Sequence, residues 1–208
     1  MTTRRRLSPD DRRAQLRAVG AALFAAKPYE DVLMEEVAER AGVSRALLYR
    51  YFPGKRELFA AVYREASDRL LSSTALDPDV PASAWLRAGL DTHIDYFAAN
   101  RNTVLAANRT LAGDPVVQAI IDDELAGLRA HLLTVTAPAE EQYAMVSAVV
   151  TSWLVFVRAL CVDWLLAGAY SRTALADICV GALTGALATV PGLRPLPAAA
   201  AGAPAPGH

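Results

Sequence analysis

The chain has 208 residues, of which 53% are hydrophobic and 21% charged, so it is not an intrinsically disordered protein and has enough apolar residues for one or two domains. The net charge is −1, but residues 1–56 hold 12 Lys and Arg against 7 Asp and Glu, while residues 57–208 hold 9 against 15. A basic N-terminal part joined to an acidic remainder is typical of a DNA-binding domain fused to a domain with another task.

The chain shows no signal for export and no disulfide framework. Arg4, Arg5 and Arg6 are not followed by the apolar segment that a secretory signal needs. The two cysteines, Cys161 and Cys179, lie within apolar helical patterns, which is typical of buried thiols in a reducing compartment. We therefore expect a cytoplasmic protein.

The most apolar stretch, residues 143–169, is long enough to raise the question of a membrane span, which needs about 20 largely apolar residues. Arg158 and Asp163 would lie within that span, and each charge costs about 2.5–3.5 kcal/mol on insertion. The sequence favours a helix of a soluble protein that is buried on most sides, with no membrane partner.

The predicted elements are helices along almost the whole chain, because apolar residues recur three and four apart and never alternate over a strand-length run. Ser8 is a helix cap, and Pro28 ends the first helix. Gly42 ends the second helix, and Ser44 caps the third. The helices are predicted at about 9–27, 33–41, 45–50, 55–72, 82–100, 102–111, 115–136, 140–168 and 171–190.

The second and third predicted helices have the spacing of a helix-turn-helix. They are joined by Ala41-Gly42-Val43-Ser44, in which the glycine allows the turn and Val43 fills the space between the helices. Ala38 is small enough for the two helices to cross closely. The exposed face of the third helix is predicted to present Ser44, Arg45, Ala46, Tyr49 and Arg50, residue types that contact base edges and phosphates.

Residues 34–59, MEEVAERAGVSRALLYRYFPGKRELF, resemble the N-terminal domain of the TetR family of bacterial regulators, and the resemblance extends over about residues 9–60. It implies an all-α fold with an N-terminal three-helix DNA-binding domain and a helical-bundle domain for ligand binding and dimerisation, about nine helices in total. It also implies that Tyr49 lies against the DNA backbone and that Lys55 meets a phosphate. The predicted DNA-binding residues are Ser44, Arg45, Ala46, Tyr49, Arg50, Tyr51 and Lys55.

Two features depart from the family pattern. Pro28 stands where members often have Gly, and Val32 and Leu33 stand where they have Thr or Ser. The loss of a hydroxyl removes a cap from the second helix, and Asp31 is expected to cap it one residue early. Ahead of the domain, Arg4, Arg5 and Arg6 are either a DNA-contacting arm in the minor groove or a solubilising segment.

The remainder of the chain has no Cys/His metal spacing, no Gly-rich phosphate loop and no G-x-S-x-G motif, so we expect neither an enzyme nor a metal or cofactor site. Polar and aromatic residues set among apolar ones mark either a ligand pocket or core residues with satisfied polar atoms. The pocket candidates are Trp85, His93, Tyr96, Phe97, Asn100, Asn108, Arg109, Trp153, Phe156 and Arg158.

The last two helices are predicted to form a dimer interface, because the helix at 140–168 is apolar nearly all round and needs covering on two sides. Gly181 and Gly185 allow close backbone approach in the final helix. The alternative is that both helices only close the core of one subunit. The interface candidates are Trp164, Leu175, Ile178, Ala182, Leu183 and Ala186.

These observations predict a DNA-binding domain over residues 1–54, a ligand-binding and dimerisation domain over 55–190 and a disordered Pro/Ala/Gly tail over 191–208. The function they favour is a homodimeric repressor that binds a pseudo-palindromic operator and is released by a small apolar or aromatic effector. The alternative is a constitutive DNA-binding or protein-interaction module without an effector. The operator, the regulated genes and the choice between repressor and activator remain open.

Overall fold

The computed structural model describes residues 7–73 and 82–194, and within these ranges all regular structure is helical. This confirms the predicted all-α fold of about nine helices. The helices are α1 (Pro9–Ala26), α2 (Met34–Arg40), α3 (Arg45–Tyr51), α4 (Lys55–Ser73), α5 (Ala82–Ala99), α6 (Arg101–Leu105), α7 (Pro115–Thr136), α8 (Glu140–Ala167) and α9 (Arg172–Ala188).

Serine side chains cap three of the helices, at Ser8 and Ser44 as the sequence predicts and also at Ser171. The Oγ atoms of Ser8, Ser44 and Ser171 each accept a hydrogen bond from a backbone N–H three residues later, at 3.1–3.2 Å. Each bond satisfies one of the N–H groups that a helix leaves unpaired at its start.

Helix α2 begins without a side-chain cap. Its N-cap position is Leu33, whose side chain is 58% exposed and has no oxygen to accept a hydrogen bond. Asp31 instead ends a short 3-10 turn, Tyr29–Asp31, so the prediction that it caps α2 is wrong. The chain from 28 to 33 is occupied by this turn and by extended residues, which keeps the carboxylate away from the first N–H groups of the helix.

The sixth predicted helix is two pieces rather than one. The α-helical part, α6, is followed by a single turn of π-helix over Ala106–Thr110, in which the Leu111 N–H donates to the Ala106 carbonyl oxygen at 2.8 Å. A π-turn contains one more residue than an α-turn, and such turns are frequent at functional positions.

The described residues divide into two compact units, and α4, α5 and α7 contribute residues to both. The first unit contains residues 7–69 and 97–123. Its core includes an aromatic cluster in which the Phe59 ring lies edge-on to Phe24 and Tyr29, with centroids 5.1 and 5.3 Å away, and stacks on Tyr63. This cluster holds α1, α4 and the turn at Tyr29 together.

The second unit contains residues 70–73, 82–96 and 124–194, and α8 packs against α9 within it. Both cysteines are buried in its core, and burial raises the pKa of Cys161 to about 12 and that of Cys179 to about 11. The Trp153 indole N–H donates to the Cys179 carbonyl oxygen at 2.7 Å, which links the two helices at their centre.

Among the described helices, α8 alone is long and apolar enough to cross a membrane, a property that core helices of soluble proteins share. One face of α8 is buried in the second unit, and its buried Arg158 forms an ion pair there.

Residues 191–194 form a turn that follows α9. The Pro191 carbonyl oxygen accepts a hydrogen bond from Gln142 Nε2 at 3.0 Å, and Gly192 has φ +72°, a conformation that favours glycine. The predicted disordered tail is therefore wrong for these four residues. The rest of that tail, 195–208, and the predicted arm residues Arg4, Arg5 and Arg6 lie outside the described residues.

Candidate nucleic-acid interface and internal cavity

The turn between α2 and α3 has the geometry that the sequence predicts. Gly42 has φ +64°, and the Val43 N–H donates to the Ala38 carbonyl oxygen at 3.0 Å, which reverses the chain within four residues. Ala38 is buried at the crossing point. A side chain at Gly42 would be strained at this positive φ, so the turn depends on glycine.

Helix α3 has one buried and one exposed side. Leu48 is fully buried and anchors the helix from within. Phe52, which follows the helix, is also buried, and the Arg13 guanidinium lies 4.9 Å above its ring. The residues predicted to contact DNA lie on the opposite side: Ser44, Arg45, Ala46, Tyr49 and Arg50 are exposed, and Tyr51 is half-buried.

The two arginines of this exposed side are only loosely held. Arg45 Nη1 lies 3.3 Å from Glu35 Oε1 in an ion pair open to solvent, and the Arg50 guanidinium lies 5.6 Å above the Tyr51 ring. Exposed ion pairs of this kind contribute about 0–1 kcal/mol, so a stronger anion can replace Glu35 as the partner of Arg45.

Lys55, at the start of α4, has a structural role that the sequence did not reveal. Its Nζ donates to the backbone carbonyl oxygens of Tyr29 and Glu30 at 2.9 and 3.1 Å and lies 4.6 Å from the centre of the Tyr29 ring. The ammonium group thus fixes the turn between α1 and α2. The phosphate contact expected for Lys55 stays a prediction.

A polar groove of about 410 Å³ adjoins the exposed side of α3. It lies at the N-terminus of α1, where unpaired N–H groups favour anions. Arg12 lines it, and sequence reasoning missed this residue because its position in α1 reveals nothing about α3. The groove is lined by Leu7, Pro9, Arg12, Leu47, Arg50 and Tyr51.

A cavity of about 50 Å³, open to solvent on one side, lies within the second unit, between α5, α7 and α8. Four of the ten pocket candidates line it, namely Trp85, His93, Trp153 and Arg158. The other lining residues are Leu86, Gly89, Leu90, Leu125, Leu128, Leu132, Leu154 and Val157.

The remaining six pocket candidates do not line this cavity, which corrects the prediction. Phe97 is core in the first unit, where Asn108 donates to the Val104 carbonyl oxygen and Arg109 is exposed. Phe156 points to the exposed side of α8. These residues were selected because they are polar or aromatic and set among apolar ones, a criterion that cannot assign them to a unit. The six are Tyr96, Phe97, Asn100, Asn108, Arg109 and Phe156.

One end of the cavity is polar. Arg158 Nη2 donates to Glu124 Oε1 at 2.5 Å, and the two residues are 8% and 4% exposed. His93 is buried beside them, and burial, followed by the positive charge of Arg158, lowers the pKa of His93 to about 3. A buried arginine needs an anionic partner, but Glu124 lies 34 residues away in the sequence and no local spacing identifies it.

An exposed apolar surface runs along α8 and α9. Phe156 and Ile178 are 39% and 52% exposed, and a shallow groove of about 390 Å³ lies between the two helices. Ala148, Val149, Ser152, Trp153, Phe156, Ala182 and Ala186 line this groove.

The predicted interface candidates fall into two groups. Ile178 and Ala182 are exposed, and Trp164 and Ala186 are half-buried, so these four can meet a partner. Leu175 and Leu183 are fully buried in the core, which corrects their assignment to the interface. They lie on the side of α9 that packs within the unit.

Residues 16–62 match the family described as "Bacterial regulatory proteins, tetR family". Among curated relatives, the HTH-type transcriptional activator FasR of Mycolicibacterium smegmatis is 37% identical over 94 residues, covering 44% of this chain and 43% of FasR. The regulator EthR of the same organism is 27% identical over 114 residues, covering 53% and 52%. The chain thus spans about half the length of these relatives.

Solved structures match over most of the chain. A tetR-family transcriptional regulator from Streptomyces coelicolor superposes with a TM-score of 0.78 at 26% identity, covering 88% of this chain and 82% of its own. The transcriptional regulator FadR from Bacillus subtilis, solved in complex with stearoyl-CoA, superposes with a TM-score of 0.63 at 16% identity, covering 87% and 99%. The second likeness shows the fold alone.

Proposed function

We propose that this chain, which belongs to the TetR family of bacterial regulatory proteins, is a sequence-specific DNA-binding regulator of transcription in the cytoplasm. The observation that supports this most is the exposed side of α3, from which Arg45, Tyr49 and Arg50 project beyond a glycine turn. An α-helix fits the major groove of B-DNA, and these side chains suit base edges and phosphates.

The residues of this surface have different proposed roles. Arg45, near the start of α3, reads base edges, since the first residues of a recognition helix enter the groove most deeply. Tyr49 lies against the sugar-phosphate backbone, and Arg50 and Arg12 hold phosphate at the groove beside α1. Lys55 also contacts phosphate, in addition to its bonds to Tyr29 and Glu30.

A gel-shift titration with DNA from upstream of the gene and with random DNA tests this at physiological salt. Arg45→Ala should relax discrimination between the two DNAs, whereas Arg12→Ala should weaken binding to both alike. Arg129→Ala, an exposed arginine of α7 in the second unit, is the matched control and should change neither. Equal affinity of the unaltered protein for both DNAs would contradict sequence-specific binding.

The protein acts as a homodimer in this proposal. The exposed apolar residues of α8 and α9 form a surface whose burial against a partner is favourable. Helices α8 and α9 of each subunit together form a four-helix interface about a two-fold axis. A two-fold dimer places its recognition helices in successive major grooves, about 34–36 Å apart, and thus reads a pseudo-palindromic operator.

A small apolar or aromatic effector controls DNA binding. The support is the cavity of the second unit, which has apolar walls and one polar end. The FadR structure with stearoyl-CoA shows that a protein of this fold holds a ligand with a long apolar part. Helix α4, which has residues in both units, transmits the change when the ligand favours one of two conformations.

The alternative is a constitutive DNA-binding module without an effector. A thermal-shift screen of apolar and aromatic compounds separates the two, since a ligand at 100 times its dissociation constant adds about 2.7 kcal/mol to the free energy of unfolding. Stabilisation together with release of operator DNA supports effector control. The absence of any stabilising compound favours the constitutive module.

Repression is the direction we propose, with activation as the second candidate because FasR is named an activator. In vitro transcription from the bound promoter distinguishes the two. A repressor lowers transcript yield when it is added alone, and addition of the effector restores the yield. An activator raises the yield.

A further inference from the structure

The cavity is small for a ligand site and has walls that can yield. Its volume of about 50 Å³ is well below the roughly 300–1,000 Å³ of typical ligand pockets. Trp85 at its edge is half-exposed, and a Cβ atom added to Gly89 would meet no atom within 4 Å. A ligand must therefore extend beyond the present cavity, and the open space beside Gly89 of α5 is where it can do so.

The walls have no hydrogen-bonding groups over most of their area. Leucines of three helices and Val157 form most of the wall, and the lining residues with polar side-chain atoms are Trp85, Trp153, His93 and Arg158. The Trp153 indole N–H is already bonded to the Cys179 carbonyl oxygen, and Trp85 lies at the half-exposed edge. The hydrophobic part of a ligand therefore lies along the leucines, and its polar group lies at the buried end, beside His93 and Arg158.

The charges at the polar end cancel. Arg158 is positive, Glu124 is its partner at 2.5 Å, and both are buried. The low pKa of His93 keeps its imidazole neutral at physiological pH. A carboxylate or an ammonium group placed there would add an uncompensated charge beside three buried residues, which is strongly unfavourable.

We infer that the effector is an uncharged, mainly hydrophobic molecule whose single polar group lies against His93 and Arg158, and that Glu124 acts as an internal counter-ion that excludes acids. This inference rests on the proposed function, since it treats the cavity as the effector site. An alcohol, a ketone or an ester fulfils the requirement, whereas a free fatty acid or an amine does not.

Three probes of equal chain length test the inference: 1-octanol, octanoate and octylamine at pH 7.5. Calorimetry on the full-length protein should show that 1-octanol binds at least tenfold more tightly than either charged probe. Octanoate or octylamine binding as tightly as octanol overturns the inference but leaves effector control intact. No binding of any probe overturns the inference, whereas effector control is decided separately by the thermal-shift screen and DNA binding by a gel shift with the same preparation.

Variants of the counter-ion and of the cavity wall make the test specific. Glu124→Gln leaves Arg158 uncompensated and should shift the ratio of affinities at least tenfold towards octanoate; an unchanged ratio overturns the role of Glu124.

If that variant does not fold, the double variant Glu124→Leu, Arg158→Met has no charge and should still prefer octanol, and a preference for octanoate would contradict the inference. Gly89→Leu fills the cavity and should abolish octanol binding, and retained binding overturns the site.

Discussion

His93 and the ion pair beside it illustrate how single residues set the chemistry of the second unit. Burial makes the imidazole neutral, and the positive charge of Arg158 adds to that effect. Glu124 compensates Arg158, so the buried ion pair adds no net charge to the cavity. Removing one partner of such a pair leaves a buried charge, which costs about 3–5 kcal/mol, whereas replacing both by apolar residues is often neutral.

The buried His93 predicts that stability falls on mild acidification. The unfolded chain takes up a proton near the ordinary imidazole pKa of 6.5, whereas the folded chain does not until about pH 3. The unfolded state thus binds more protons in this window, and the free energy of unfolding decreases as pH falls below 6.5, by up to about 1.4 kcal/mol per pH unit.

Urea unfolding at several pH values between 7 and 5 measures this slope. His93→Gln keeps a polar side chain that does not titrate, so its slope should be flatter than that of the unaltered protein. Glu36 and Asp114 have pKa values lowered below 4.5 and 3.8 and so do not change protonation in this range. Equal slopes for the two proteins would show that His93 is not held neutral.

The same substitution to alanine at two helical glycines should change the free energy of unfolding in opposite directions. A Cβ atom at Gly20 in α1 would lie 3.1 Å from Leu58 Cδ2, and Leu58 is fully buried, whereas a Cβ atom at Gly89 in α5 has open space. Gly20→Ala should lose about 1 kcal/mol through overpacking, and Gly89→Ala should gain about 0.5–1 kcal/mol because alanine favours a helix. Denaturant unfolding of both variants checks this, and a gain at Gly20 would show that Leu58 has room to move.

At the scale of helices, the sequence predicted most boundaries because each depends on a local signal. Ser8 and Ser44 cap, Pro28 terminates and Gly42 turns, and each acts within one helical turn of its own position. The π-turn after α6 was missed because Ala106–Thr110 contains neither Gly nor Pro, and the shift in hydrogen bonding has no residue type of its own.

The candidate sites show the same difference between features that depend on local signals and features that depend on contacts distant in sequence. The exposed side of α3, with Arg45 and Tyr49, followed from the period of one short helix, whereas the structure identifies Leu48 as its buried residue. The cavity depends on contacts between α5, α7 and α8, so the apolar setting of His93 and Arg158 identified these two residues but not Glu124. Lys55 was expected at a phosphate, yet its bonds to the turn at Tyr29 depend on a contact across 26 residues.

The missing cap of α2 gives a prediction at this scale. Leu33→Thr places a hydroxyl at the N-cap of α2 and removes an exposed apolar side chain, so the free energy of unfolding should increase by about 0.5–2 kcal/mol. Leu33→Ala removes the same side chain without supplying an acceptor and should give no such gain. Thermal unfolding compares the two, and equal melting temperatures would show that the start of α2 is already satisfied.

For the whole molecule, charge and apolar surface indicate two separate tasks. Excess positive charge lies in the first 56 residues, with the exposed arginines of α3, and suits an anionic partner. The exposed apolar residues of α8 and α9 belong to the second unit and suit a partner with an apolar surface. A two-fold dimer satisfies both, because it covers the apolar surface and supplies two copies of α3 for a two-fold operator.

Charged substitutions on that apolar surface should therefore separate the subunits. Phe156→Glu and Ile178→Glu each place a carboxylate in the proposed interface without disturbing the core, since both side chains are exposed in the single chain. Tyr143→Glu is the matched control, because Tyr143 is 52% exposed on α8 but lies on the opposite side of the helix from Phe156. Light scattering after size exclusion should show monomers for the first two variants and dimers for the control, with operator affinity reduced at least tenfold only in the monomers. If all three remain dimers, the subunits associate through another surface, and the apolar residues of α8 and α9 need a different partner.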